Sequence, residues 1–65
     1  MNVLKNAVNA VYAVLPKNDN GSVMLRDLVR GCGYGDTSEF ISAVRAAGID
    51  LKTRCVPGLG ITAKL

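Results

Sequence analysis

The fold turns on the C-terminal stretch Ile49-Asp50-Leu51-Lys52-Thr53-Arg54-Cys55-Val56-Pro57-Gly58-Leu59-Gly60-Ile61-Thr62-Ala63-Lys64-Leu65. In its first part the apolar period is two. Ile49, Leu51, Thr53 and Cys55 alternate with Asp50, Lys52 and Arg54, which predicts a strand with the first set facing inward. In Val56-Pro57-Gly58-Leu59-Gly60 a Pro precedes a Gly, the order of a type II turn. Pro holds the φ of the first central position, and Gly accepts the positive φ of the second. Ile61, Ala63 and Leu65 then alternate with Thr62 and Lys64, so a second strand returns and closes a hairpin. Two strands alone are marginal in water, so this hairpin must rest on the residues before it.

Those residues read as helices. Thr37, Phe40, Ile41 and Val44 fall at offsets 0, 3, 4 and 7, predicting a helix over 37–47 with Thr37 on its inward stripe and Gly48 as its stop. Asp36-Thr37-Ser38-Glu39 has the form of a capping box, with Asp36 accepting from the third helical N–H and Glu39 reaching back. Leu25, Leu28, Val29 and Cys32 repeat the same offsets with Arg26, Asp27 and Arg30 off the stripe. A short second helix is expected there, with Gly31 or Gly33 as its left-handed C-terminal residue. Leu4, Val8, Val11 and Leu15 mark an amphipathic helix over 2–15 that Pro16 ends, with Tyr12 on the core side. Lys17-Asn18-Asp19-Asn20-Gly21 is a loop by its turn formers. Ser22-Val23-Met24 reads either as a very short strand or as a helix entry. As a strand it would give the hairpin a third partner.

The 65 residues suit one α+β domain, 1–65, without repeat or linker. A chain of this size buries only about 60% of its unfolded surface, so the core is small. Apolar residues make up 49% and charged residues 20%, which argues against disorder. With no His and two Cys there are few ligands for metal sites and no imidazole for acid/base work, so neither an enzyme, a cofactor nor a metal is expected. No stretch approaches the roughly 20 apolar residues of a membrane span, and residues 2–15 do not form an export signal. A cytoplasmic protein without membrane contact is expected, with Cys32 and Cys55 as reduced, partly buried thiols.

The run Val44-Arg45-Ala46-Ala47-Gly48-Ile49-Asp50-Leu51-Lys52-Thr53, followed by Val56-Pro57-Gly58-Leu59-Gly60, resembles the winged helix-turn-helix domain of biotin repressors and related bacterial regulators. Leu25-Arg26-Asp27-Leu28-Val29 is similar to the first helix of that unit, so the likeness covers about residues 22–65. It implies three helices followed by a hairpin wing, with helix 37–47 as the recognition helix. Two features depart from the family pattern. Acidic Asp36 and Glu39 stand where recognition helices present Ser, Arg, Gln, Asn or Lys, and Arg54-Cys55 is an apparent insertion before the wing turn.

Two functions compete. The first is a small DNA-binding transcription regulator, with helix 37–47 in the major groove and the wing 51–65 on the backbone of double-stranded DNA, acting as a homodimer. Its candidate contacts are Ser38, Ser42 and Arg45 on the helix, Lys52, Arg54 and Lys64 on the wing, and Tyr34 in the preceding turn. The basic wing residues read equally well as the solvent face of a hairpin, and Tyr34 as packing over the end of helix two. The second is a phage or mobile-element protein whose winged helix binds and inhibits a host protein of the transcription or defence machinery. The formal charge of +3 is compatible with either. An architectural, excisionase-like factor that bends DNA shares the wing argument.

Overall fold

The computed structural model describes residues 3–65; Met1 and Asn2 lie outside them, so the expected start of helix one at Asn2 is not part of the description. The order is α1 (Val3–Val14), β1 (Val23–Met24), α2 (Leu25–Gly31), α3 (Thr37–Ala46), β2 (Lys52–Val56) and β3 (Gly60–Lys64). The strands form one antiparallel sheet in the order β1-β3-β2. Three helices followed by a hairpin wing with a short extra strand is the winged helix-turn-helix architecture, as expected. Within Ser22-Val23-Met24, Val23 and Met24 form a strand that runs directly into α2.

The helices bury the faces their periodicity marks. Phe40, Leu28, Val8 and Val23 are fully buried, joined by Leu25, Val29, Val44 and Ala63, with Tyr12, Tyr34 and Ile49 packed at the margin. Each large side chain in this set contributes about 1.5–3 kcal/mol on leaving water. Beyond α1, the Tyr12 hydroxyl donates to the Gly21 carbonyl and the Lys17 ammonium lies 4.8 Å from the centre of the Tyr12 ring. These contacts tie the 17–21 loop back onto the helix.

Both α2 and α3 end in the same way. After α2 the amide of Gly33 donates to Arg30 and that of Tyr34 to Val29, each at 3.0 Å, with Gly33 at φ 83°. After α3 the amide of Gly48 donates to Arg45 and that of Ile49 to Val44, each at 3.1 Å, with Gly48 at φ 73°. This is the paired hydrogen-bond pattern in which a left-handed glycine turns the chain and the next residue packs back on the helix. It corrects one expectation: Ile49 belongs to the helix stop, not to the strand, and pairing begins only at Lys52.

The hairpin register runs Lys52↔Lys64, Thr53↔Ala63, Arg54↔Thr62, Cys55↔Ile61 and Val56↔Gly60 without a break. Arg54 and Cys55 are therefore two further paired positions that lengthen the wing. The tip is the expected turn, with the Leu59 amide donating to Val56 at 3.0 Å and Gly58 at φ 81°. Burial in the hairpin departs from simple alternation. Thr53, Cys55, Ile61 and Leu65 were expected inside and are exposed, whereas Thr62 was expected outside and is buried. The wing projects past the helices, so its inward-pointing tip residues have nothing to cover them. Thr62 sits on the central strand between Met24 and Arg54, and its hydroxyl reaches the Arg54 carbonyl at 3.4 Å.

Gly31 marks the closest approach of α1 and α2: a Cβ there would fall 2.5 Å from Cγ1 of Val11. A valine side chain is stiff at χ1 and cannot swing aside cheaply. Gly31→Ala should therefore lose about 1–3 kcal/mol to overpacking, against at most about 1 kcal/mol gained in helix propensity. A lowered urea midpoint, restored by adding Val11→Ala, is the expected result, and an unchanged or raised midpoint would contradict the close crossing.

Candidate nucleic-acid interface

The register of the wing assembles its cations. Paired residues point to the same side of a sheet, and side chains alternate along a strand. Val23, Ala63 and Thr53 thus share one face, and the first two belong to the core, so this face turns toward the helices. Lys52, Arg54 and Lys64 share the other face. Lys52 and Lys64 stand directly opposite each other, with Arg54 two residues along from Lys52, and all three are exposed. Like charges in such a cross-strand pair destabilise a sheet by roughly 0.2–1 kcal/mol, and no carboxylate lies on either strand to offset them.

On α3 the residues Ser38, Ser42 and Arg45 fall at offsets 0, 4 and 7 and are all exposed, so they line one stripe opposite buried Phe40 and Val44. Arg45 in the last turn also complements the negative end of the helix dipole. Asp36 caps the helix as expected, but its Oδ1 accepts from the Ser38 amide at 2.9 Å, one residue earlier than the capping-box pattern. Glu39 is exposed and makes no hydrogen bond back to Asp36. Thr37 lies within the angular range of the inward stripe yet is exposed, because the first turn of α3 overhangs the end of the core.

Tyr34 differs from the other candidate contacts. As the residue after the left-handed Gly33 it is folded back, half-buried, with its ring edge-on to Phe40 at a centroid distance of 5.4 Å. The structure places it as packing over the end of α2, not as a free stacking platform.

Two features escaped the sequence reading. Arg26 and Arg30, off the stripe of α2 and one helical turn apart, are exposed beside the start of α3 and line two adjoining depressions with Thr37. Their spacing was visible in the sequence, but their proximity to α3 was not. The wing tip carries no cation: Leu59 and Ile61 are each 48% exposed there. Cys32, at the end of α2, is partly buried, whereas Cys55 on β2 is exposed, against the expectation for the latter; both are free thiols. Burial pushes the Cys32 thiol above its ordinary value. Among the described residues no helix is long and apolar enough to cross a membrane.

No family model, curated protein or solved structure matches the chain.

Asp36→Ala removes the cap and should cost about 0.5–2 kcal/mol, whereas Asp36→Ser should retain most of the stability; equal loss in both, by urea unfolding, would remove the cap from the account. Iodoacetamide should alkylate Cys55 well before Cys32 in the folded protein, with the Cys32 rate rising only at a pH above that of an unperturbed thiol. Because folding raises the Cys32 pKa, its contribution to stability is complete below the unfolded thiol value and is lost as pH climbs through the folded one. Peptide mapping after timed quenching reads the order of labelling.

Proposed function

We propose that this domain is a small DNA-binding transcription regulator that docks on double-stranded DNA through the outer face of its wing and the exposed stripe of α3. The observation that carries the reading is the gathering of Lys52, Arg54 and Lys64 on one sheet face, with two lysines held opposite each other at a cost to the sheet. A row of phosphates relieves that repulsion, and each neutralised phosphate releases counterions. Ser38, Ser42 and Arg45 supply hydrogen-bond donors to phosphate oxygens and base edges from a helix of the right width for a major groove. The charge of Asp36 is engaged at the α3 cap, and Glu39 lies about 100° around the helix from Ser38, on the flank of the stripe. The likeness of residues 44–60 to repressor winged helices supports the same reading. One such module reads few bases, so the active form is a dimer on a two-fold site. No catalytic step is assigned to it.

Fluorescence anisotropy on a labelled duplex across a salt series tests the reading. Three phosphate contacts from each wing should give a log–log slope of about −2.7 per protomer, about −5.4 for the bound dimer. Lys64→Glu should weaken binding and flatten that slope by about one unit per protomer, while its urea midpoint holds or rises, because a repulsive cross-strand pair becomes an attractive one. Absence of salt-dependent binding by the unaltered protein to any duplex at low ionic strength would overturn it.

A further inference from the structure

The extra strand is shorter than its partner, and that mismatch opens a groove. β1 ends at Met24 because α2 begins at Leu25, whereas β3 continues to Gly60. Gly60 and Ile61 consequently have no strand neighbour on the β1 side. The space beside them is a cleft of about 190 Å³ between the wing tip and the starts of α2 and α3. Its apolar walls are Met24, Leu25, Leu59 and Ile61, with Thr37 and Arg26 at the rim. Gly60 contributes backbone alone, and the Met24 methyl group stands 3.2 Å from where a Cβ would be. A second depression of about 250 Å³ adjoins it, lined by Arg26, Arg30, Tyr34 and Thr37 among others; Arg26 and Thr37 belong to both.

The charge of this groove is one-sided. Arg26 and Arg30 are the charged side chains lining it, and the carboxylates of Asp27, Asp36 and Glu39 line neither depression. Neither guanidinium has an ion pair or a hydrogen bond among the described residues. A guanidinium left open at the edge of an apolar cleft matches a carboxylate that it binds through two parallel N–H groups. The apolar walls match a bulky hydrophobic side chain, which a phosphate backbone does not offer. An extended chain laid along Gly60 and Ile61 also meets a free strand edge.

We propose that this groove docks an acidic segment of a partner protein, with one large apolar side chain seated between Met24, Leu25, Leu59 and Ile61 and carboxylates held by Arg26 and Arg30. None of Lys52, Arg54 and Lys64 lines the site, which stands whether or not those cations bind DNA.

Selection of displayed random short peptides on the full chain, with Ile61→Asp as counter-selection, tests the assignment. The enriched peptides should carry a leucine or an aromatic residue among Asp and Glu. One of them, titrated into the isotope-labelled protein, should shift the amides of Leu25, Arg26, Thr37, Leu59 and Ile61. Arg26→Glu should weaken that peptide on the order of tenfold, and a peptide with its acidic residues changed to lysine should recover binding to the variant. The recovery shows that the variant is folded. The proposal is overturned by no enrichment over the counter-selection, by enriched peptides that are basic or uncharged, or by affinity indifferent to Arg26→Glu. It is equally overturned if duplex DNA, or a second copy of the chain on raising its concentration, produces those amide shifts in place of the peptide.

Discussion

The pairing of Val23 and Met24 with Ala63 and Thr62 is the constraint on which the rest of the structure depends. It joins residues some forty positions apart, closing the C-terminal hairpin onto the helices and setting the point at which α2 begins. Val23 and Ala63 are both buried in the common core, so the pairing is also where the sheet meets the hydrophobic layer. Without it β2 and β3 would be an isolated hairpin of marginal stability. The apolar cleft beside the wing tip follows from it as well, because a strand only two residues long exposes the flank of a partner of five.

The helix-turn-helix unit is shaped by two glycines in equivalent roles. Gly33 and Gly48 each adopt a left-handed φ that an L side chain rarely accepts, ending a helix and folding the next apolar residue onto the core. Through this device Tyr34 is pinned to Phe40, which fixes the turn between α2 and α3 and so the direction in which α3 presents Ser38, Ser42 and Arg45. On the opposite side of α2, Gly31 lets α1 approach more closely than any other residue would permit. Glycine thus serves this small domain both as a stop and as a spacer.

Charge is distributed against simple stability. The opposed lysines of the wing gain nothing from each other, and the guanidiniums of α2 stand open beside an apolar cleft. The wing tip, where a phosphate contact would be reached most easily, is apolar, and its cations lie further down the hairpin. This gives the domain two chemically distinct surfaces, a cationic sheet face and an apolar cleft with guanidinium groups at its edge.

Much of this was legible in the sequence because it is local. The apolar offsets of α1, α2 and α3, the cap at Asp36, the glycine stops and the Pro57-Gly58 turn each rest on interactions within a few residues, and each has its expected place. The cations Lys52, Arg54 and Lys64 were equally legible as a set, since strand alternation and the turn together imply their common face. What failed was burial wherever an element outruns the core. Thr37, Cys55 and Ile61 carry the right period for the inside, yet no layer extends far enough to cover them. Ile49 carried the strand period and serves the helix stop, because its amide is taken by Val44. The arginines were legible off the stripe of α2, but the groove was not: it exists because strands of unequal length meet at the end of a helix, and only the tertiary arrangement brings Arg26, Thr37 and Ile61 to one place.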